Sequence, residues 1–249
     1  DRERKLRDEL ISALSNNQFH LQYQPIVDAT SQSIVCCEAL LRWDHPTLGA
    51  MSPTEFVPAA ESSGLIVSIG QWVVEQACLQ AMNWPAHVKV AVNLSPRQFA
   101  GLGLVAGISR ALAKSGLAPE RLELEITESV FLSDSHDNIQ LLNELKNLGV
   151  RIALDDFGTG YSSLAYLRKF SFDKLKIDRS FVTDVATSME SLAIVRAVVG
   201  LGRSFAAVVT AEGVEDLEQC ECLTAEGCDQ FQGYLFSRPL SPNALKELL

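Results

Sequence analysis

A chain of 249 residues, 47% hydrophobic and 21% charged, is long enough for one large core or two small domains. Its net charge of -10 argues against a nucleic-acid polymer or an anionic membrane as the main partner, and a phosphate substrate would need local compensation from metals or a few placed cations. No apolar run approaches about 18 residues without a charge, so no membrane span or membrane contact is expected of this segment, nor a signal peptide, and a cytoplasmic setting is the expectation.

Leu6, Leu10, Ile11 and Leu14 recur at helical spacing between charges, which predicts a helix over residues 1–16. The charged opening from Asp1, without a methionine, reads as a lead-in linker helix over 1–18, ahead of one domain over 19–249 cut from a longer chain. Residues 19–28 and 33–43 read as strands joined by the polar turn Ala29-Thr30-Ser31-Gln32-Ser33. That turn is too short to hold a crossover helix, so the two strands should pair antiparallel. After a loop with Pro46 and Gly49, a helix is predicted over 53–61, with Pro tolerated in its first turn, and a longer one over 67–83 with Ile69, Trp72, Val73 and Ala77 on one face. Strand and helix then alternate. Strands are expected at 88–93, 121–126, 151–155, 173–177, 206–211 and 228–232, with helices near 103–115, 134–148, 161–168, 189–204, 215–226 and 242–249. Connections are short and no Ser/Gly-rich linker interrupts them, which favours a single domain.

Counting the opening pair gives eight strands, the number that closes a barrel of the TIM type. An open doubly wound sheet is the alternative, made less attractive by the lack of a glycine-rich dinucleotide fingerprint after an early strand. Among the six cysteines, Cys36 and Cys37 are adjacent and Cys220 and Cys222 close, with Cys78 and Cys228 apart; none has zinc-finger spacing, and buried reduced thiols are expected. His20, His45, His87 and His136 fall in no metal-binding motif and are assigned to surface or loop roles.

The active site of a parallel barrel lies at the carboxyl ends of its strands. Those ends carry Asn93, Glu125 with Glu128 just beyond, Asp155 and Asp156, Lys176 and Asp178, Glu212 and Gln232, while Glu38 interrupts the apolar run Ile34 to Leu41. Singly, each has an ordinary explanation: Glu38 as a paired core acid, Asp155 as a turn cap, Asp156 as the cap of a helix beginning near Tyr161. Converging on one rim, such an oxygen-bearing set without histidine or cysteine suits hard divalent cations such as Mg2+ or Mn2+ better than zinc. Adjacent aspartates could bridge two metals about 4 Å apart, the spacing used by phosphodiester hydrolases.

Glu38-Ala39-Leu40 followed by Leu41-Arg42-Trp43 resembles the signature of the EAL-domain family of cyclic di-GMP phosphodiesterases. It is joined in order by Asn93-Leu94-Ser95, Glu125-Ile126-Thr127-Glu128, Asp155-Asp156-Phe157-Gly158-Thr159-Gly160, Lys176-Ile177-Asp178, Glu212-Gly213-Val214-Glu215 and Gln232-Gly233-Tyr234, so that the resemblance covers residues 21–240. It implies a modified TIM-type (β/α)8 barrel with the first strand antiparallel, and a two-cation site that hydrolyses cyclic di-GMP to linear pGpG, with Ca2+ inhibitory. It further implies that Glu38, Asn93, Glu125 and Asp155 hold one cation, that Asp155 and Asp156 serve the second, and that Glu212 and Gln232 belong to the metal site by supporting the attacking water and the cations' hydration shell. Lys176 would stand beside that water and the phosphate. Glu128 would anchor the loop after Asp156. Gln24, Leu41, Arg42, Asn93, Lys176, Asp178 and Glu215 would face the nucleotide. Arg42 could instead be a surface arginine paired with Asp44, and Gln24 and Glu215 could be turn or helix-cap residues.

The resemblance also implies a larger signalling protein, with an upstream sensory or GGDEF domain and a possible homodimer. Two other readings stay open: a non-catalytic cyclic di-GMP receptor using the same pocket, and an unrelated barrel enzyme acting on a sugar phosphate.

Overall fold

The computed structural model describes residues 2–101, 103–131, 135–159 and 168–249. Strands β1 (Phe19–Asp28) and β2 (Ile34–His45) pair antiparallel from Phe19↔Trp43 to Val27↔Ile34, with a bulge between Ile26 and Val27. A short β3 (Gly49–Met51) folds back on β2. There follow β4 (Lys89–Asn93), β5 (Leu122–Thr127), β6 (Arg151–Phe157), β7 (Lys174–Ile177), β8 (Val208–Ala211) and β9 (Gln230–Gln232). Pairing runs parallel from β2 through β4 to β9, and β9 meets β1 antiparallel. With β3 outside the ring, eight strands close, and β1 runs against both neighbours. This is the modified TIM-type barrel that the sequence predicts.

Pleating sends alternate residues to opposite faces, and the two faces differ sharply in chemistry. Outward residues such as Val90, Val92, Leu122, Leu124, Ile126, Ile152, Leu154, Leu175, Ile177 and Val209 join the main core beneath the helices. Inside the barrel, Ile26, Cys36 and Ala91 form only a small separate apolar cluster. The other inward positions of the central strands are largely polar. Apolar cohesion therefore lies outside the barrel, which leaves its interior for charged groups.

Several elements differ from the expected ones. The turn at 46–49 is not a plain loop: Gly49 takes φ +75, and the chain returns as β3, pairing Trp43 with Met51. His45 is buried rather than on the surface, because its Nδ1 accepts the backbone N–H of Thr47 (3.3 Å) and Leu48 (3.1 Å) and closes this turn. Short helices Pro96–Phe99 and Arg179–Val182 begin directly after β4 and β7, each entered through a capping residue: Ser95 accepts Arg97 N–H, and Asp178 accepts Ser180 N–H at 3.0 Å. Strands β8 and β9 are two residues shorter at their starts than expected, since the chain there still belongs to the preceding turns. The helix expected near 161–168 falls, but for Arg168, outside the described residues. The opening helix Arg2–Ser15 joins the main core through Leu10 and Ala13 and packs beside the helix Pro53–Ser62, and Trp43 donates its indole N–H to Gln18 at 3.1 Å. All six cysteines are free, and burial pushes the Cys37, Cys78 and Cys228 thiols up to about 12.

Candidate active site

Lys176 is the centre of the polar interior. Its side chain is 1% exposed, and its Nζ lies 2.6 Å from Glu212, 2.9 Å from Glu125, 3.2 Å from Asp155 and 4.0 Å from Glu38. These groups come from five strands or strand ends, which only a closed ring brings together. Glu38 accepts Asn93 Nδ2 on one oxygen and Gln232 Nε2 on the other, each at 2.6 Å. Gln232 Nε2 also reaches Gln24 Oε1 at 3.3 Å, and Gln24 in turn donates to the Ser237 carbonyl at 3.1 Å. Gly233 permits this rim to close, because a Cβ there would sit 2.0 Å from the Val214 carbonyl oxygen.

Asp156 sits at φ +53, a left-handed conformation that Asp tolerates better than most residues, and its N–H bonds the Asp155 carboxylate at 3.0 Å. One carboxylate oxygen each from Asp155, Asp156 and Glu212 lie within 4.8 Å of one another. The turn after Asp156 is tied down by the residue that follows β5: Glu128 Oε1 accepts the Gly158 N–H at 3.1 Å.

The electrostatics are those of a cluster short of positive charge. Burial opposes the Lys176 ammonium, but Asp155, Glu125, Glu212 and Glu38 outweigh it and hold its pKa well above the ordinary value. The carboxyls rise too. Burial, reinforced by neighbouring carboxylates, pushes Glu212 up to about 8, Asp156 up to about 6 and Glu125 well above its usual range. One ammonium cannot neutralise them all. In addition, Glu125 Oε2 and Gln232 Oε1 are buried without a hydrogen-bond partner. An all-oxygen donor set with orphaned acceptors and excess negative charge fits divalent cations.

Two cavities flank this centre. One, of about 450 Å³, is mainly apolar and includes Leu41, Arg42, Asn93, Leu94, Pro53 and Ser95 in its wall. The other, of about 170 Å³, is bounded by Gln24, Glu38, Glu212, Glu215, Arg179 and Tyr234. Arg42 donates to Gln22 at 2.9 Å and to the Leu41 carbonyl at 3.0 Å, whereas Asp44 lies against His20 at 3.2 Å. Glu215 lines the smaller cavity, and its neighbour Asp216 is the helix cap. Asp178 caps the helix after β7 and is not among the residues lining either cavity.

Sequence reasoning missed Arg179 and Tyr234, which border the smaller cavity, and the buried pair Glu123 and Lys174, 2.5 Å apart. The pair had a signal: each lies two residues before a site residue on the same strand, so it shares the inward face.

Residues 7–239 match the family model for the EAL domain, and the chain belongs to that family. The bifunctional diguanylate cyclase/cyclic di-GMP phosphodiesterase MucR of Pseudomonas aeruginosa is 44% identical over 245 residues, covering 97% of this chain and 36% of MucR. The cyclic di-GMP phosphodiesterase NbdA of the same organism is 41% identical, covering 99% of this chain and 32% of NbdA. Among solved structures, the PaMucR phosphodiesterase in its c-di-GMP complex superposes with a TM-score of 0.92 at 44% identity, covering 97% of this chain and 99% of that one. The chain spans about a third of the length of the curated relatives it matches.

Proposed function

We propose that this domain hydrolyses one phosphodiester of cyclic di-GMP, giving linear pGpG and lowering the level of a bacterial second messenger. The observation that carries the proposal is the ring of Glu38, Glu125, Asp155 and Glu212 around the buried Lys176, with Asn93 and Gln232 completing it. Glu38, Asn93, Glu125 and Asp155 hold one cation and Asp155 with Asp156 the second, Mg2+ or Mn2+ in each case. When bound, the cations lower the proton affinity of the attacking water and offset charge on the phosphoryl oxygens.

The chain's own groups do the rest. Glu212, 2.6 Å from Lys176 Nζ and with an oxygen within 4.8 Å of those of Asp155 and Asp156, is placed to accept the proton that the water gives up. Lys176 presents a fixed ammonium to the developing oxyanion, in a pocket dry enough for that charge to count. Gln232 orients Glu38 and Gln24, while Glu128 holds the turn that places Asp155 and Asp156. The two flanking cavities receive the nucleotide, with Leu41, Arg42 and Asn93 in the wall of the larger and Gln24 and Glu215 in the smaller. Lys176 faces its phosphate side, and Asp178 supports that side from the start of the helix after β7, which it caps.

The proposal extends to context. The domain belongs to a longer cytoplasmic signalling protein, where its six free thiols stay reduced, with an upstream sensory or GGDEF domain in the length of its relatives that it does not span. No helix among the described residues is long and apolar enough to cross a membrane.

Incubating the pure protein with cyclic di-GMP and Mg2+ or Mn2+, then separating the products by chromatography, tests the reading. Linear pGpG is expected with either ion and not with Ca2+, whose larger radius and looser coordination misplace the reacting groups. Full activity after exhaustive chelation would overturn the cation assignment, and tight binding without hydrolysis would make the domain a receptor.

A further inference from the structure

A second ion pair lies inside the barrel beside the ring around Lys176. Glu123 and Glu125 are two residues apart on β5, as are Lys174 and Lys176 on β7, so each strand offers two charged groups to the interior. Between them runs β6, whose Ala153 pairs with Glu125 on one side and with Lys174 on the other. A methyl group is short enough for side chains of β5 and β7 to meet across it. Glu123 meets Lys174 at 2.5 Å with both side chains at most 2% exposed, and Glu125 meets Lys176 at 2.9 Å.

Two features make the first pair more than packing. A buried ion pair is a poor source of stability, since apolar residues of similar volume often serve as well or better. The other concerns reach. Lys174 feels Glu125 as well as Glu123, and Glu125 has one carboxylate oxygen without a hydrogen-bond partner. An unpaired ammonium at Lys174 would therefore have Glu125 as its next carboxylate.

We infer that Glu123 is a positioning residue that holds Lys174 away from Glu125, and so leaves the Glu125 carboxylate to the cation site. The inference rests on the assignment of Glu125 as a cation ligand.

Titration calorimetry with Mn2+ alone, alongside melting temperatures, tests it on the wild type, Glu123→Gln, Lys174→Met and the double variant. Glu123→Gln should weaken Mn2+ binding at least about tenfold, in the range found for groups that support metal ligands. Lys174→Met should melt at lower temperature, because Glu123 is left buried without its partner, yet bind Mn2+ within about threefold of wild type. In the double variant both properties should return towards wild type. A merely structural pair would behave otherwise, with both single variants losing stability and Mn2+ binding in step. That result, or unchanged Mn2+ binding in a folded Glu123→Gln, overturns the inference. Should Glu123→Gln fail to fold, Lys174→Met decides: weakened Mn2+ binding overturns the inference and retained binding supports it. A wild type that takes up no Mn2+ refutes the cation site itself.

Discussion

Replacing Lys176 with Met removes the ammonium that stands among four carboxylates and leaves a side chain of similar volume. Breaking a buried charge pair from one side costs about 3–5 kcal/mol, because the remaining charges keep no compensation. With Glu212, Glu125 and Asp155 all within 3.2 Å of Nζ, the loss should fall in that range. For a domain of this size it corresponds to a fall in Tm of roughly 6–20 °C, measured in chelator. Saturating Mn2+ supplies charge to the same carboxylates, so the deficit between variant and wild type should shrink when the ion is added. Turnover should not recover with stability. Loss of a fixed group that stabilises developing charge costs about 10²–10³ in rate, and the cations do not replace a donor at that point. Differential scanning fluorimetry with and without Mn2+, together with cation-saturated turnover on the same preparation, gives both numbers. A variant that melts with the wild type in chelator would refute the stability reasoning, and one that turns over normally would remove Lys176 from the mechanism.

Glu128→Ala should leave the fold intact and cost about a hundredfold in turnover, because the turn at Gly158 loses an anchor and a shift of about 1 Å at the reacting groups is enough. A destabilised but fully active Glu128→Ala would end that role. Glu38→Ala should abolish turnover, whereas Arg42→Ala should mainly raise KM; normal kinetics in both would mean that β2 is misassigned. The pH dependence has a definite sign. Glu212 and Asp156 are held above their ordinary values in the cation-free fold, so the stability they contribute is full below about pH 4 and is lost as pH rises through about 6 and then about 8. Chelated protein should therefore lose Tm between pH 5 and 8.5 while Mn2+ affinity rises over the same interval, and the opposite trend in affinity would contradict the assignment of these carboxyls.

The strand ends were legible because each obeys a local rule. An apolar run that stops at an acid or amide can be read residue by residue, and the short turn from Ala29 to Ser33 decides the antiparallel start without further information. The partners were not legible, because ring closure sets them. Gln232 reaches Glu38 across 194 residues of sequence and Gln24 across 208, through the contact of β9 with β1. The alternative reading of Arg42, a pair with Asp44 two residues along the strand, does not form, because its hydrogen bond goes diagonally across the hairpin to Gln22. His45 was misplaced for a related reason: its ring is buried by the turn that β3 makes, and a three-residue strand leaves almost no periodic signal.

Charged residues inside strands are usually read as facing solvent, and in this barrel that reading fails at Glu123, Glu125, Lys174 and Lys176 together. Their outward neighbours are the reason. Leu122, Leu124 and Ile126 on β5 and Leu175 and Ile177 on β7 are buried under helices, so period-two alternation leaves the charged set no direction but the barrel interior. Once inside, four charges can persist only by pairing, and acids and bases occur on alternate strands separated by Ala153. The small residue on the intervening strand is thus part of the electrostatic arrangement. It lets the two rows of opposite charge meet, Glu123 with Lys174 and Glu125 with Lys176.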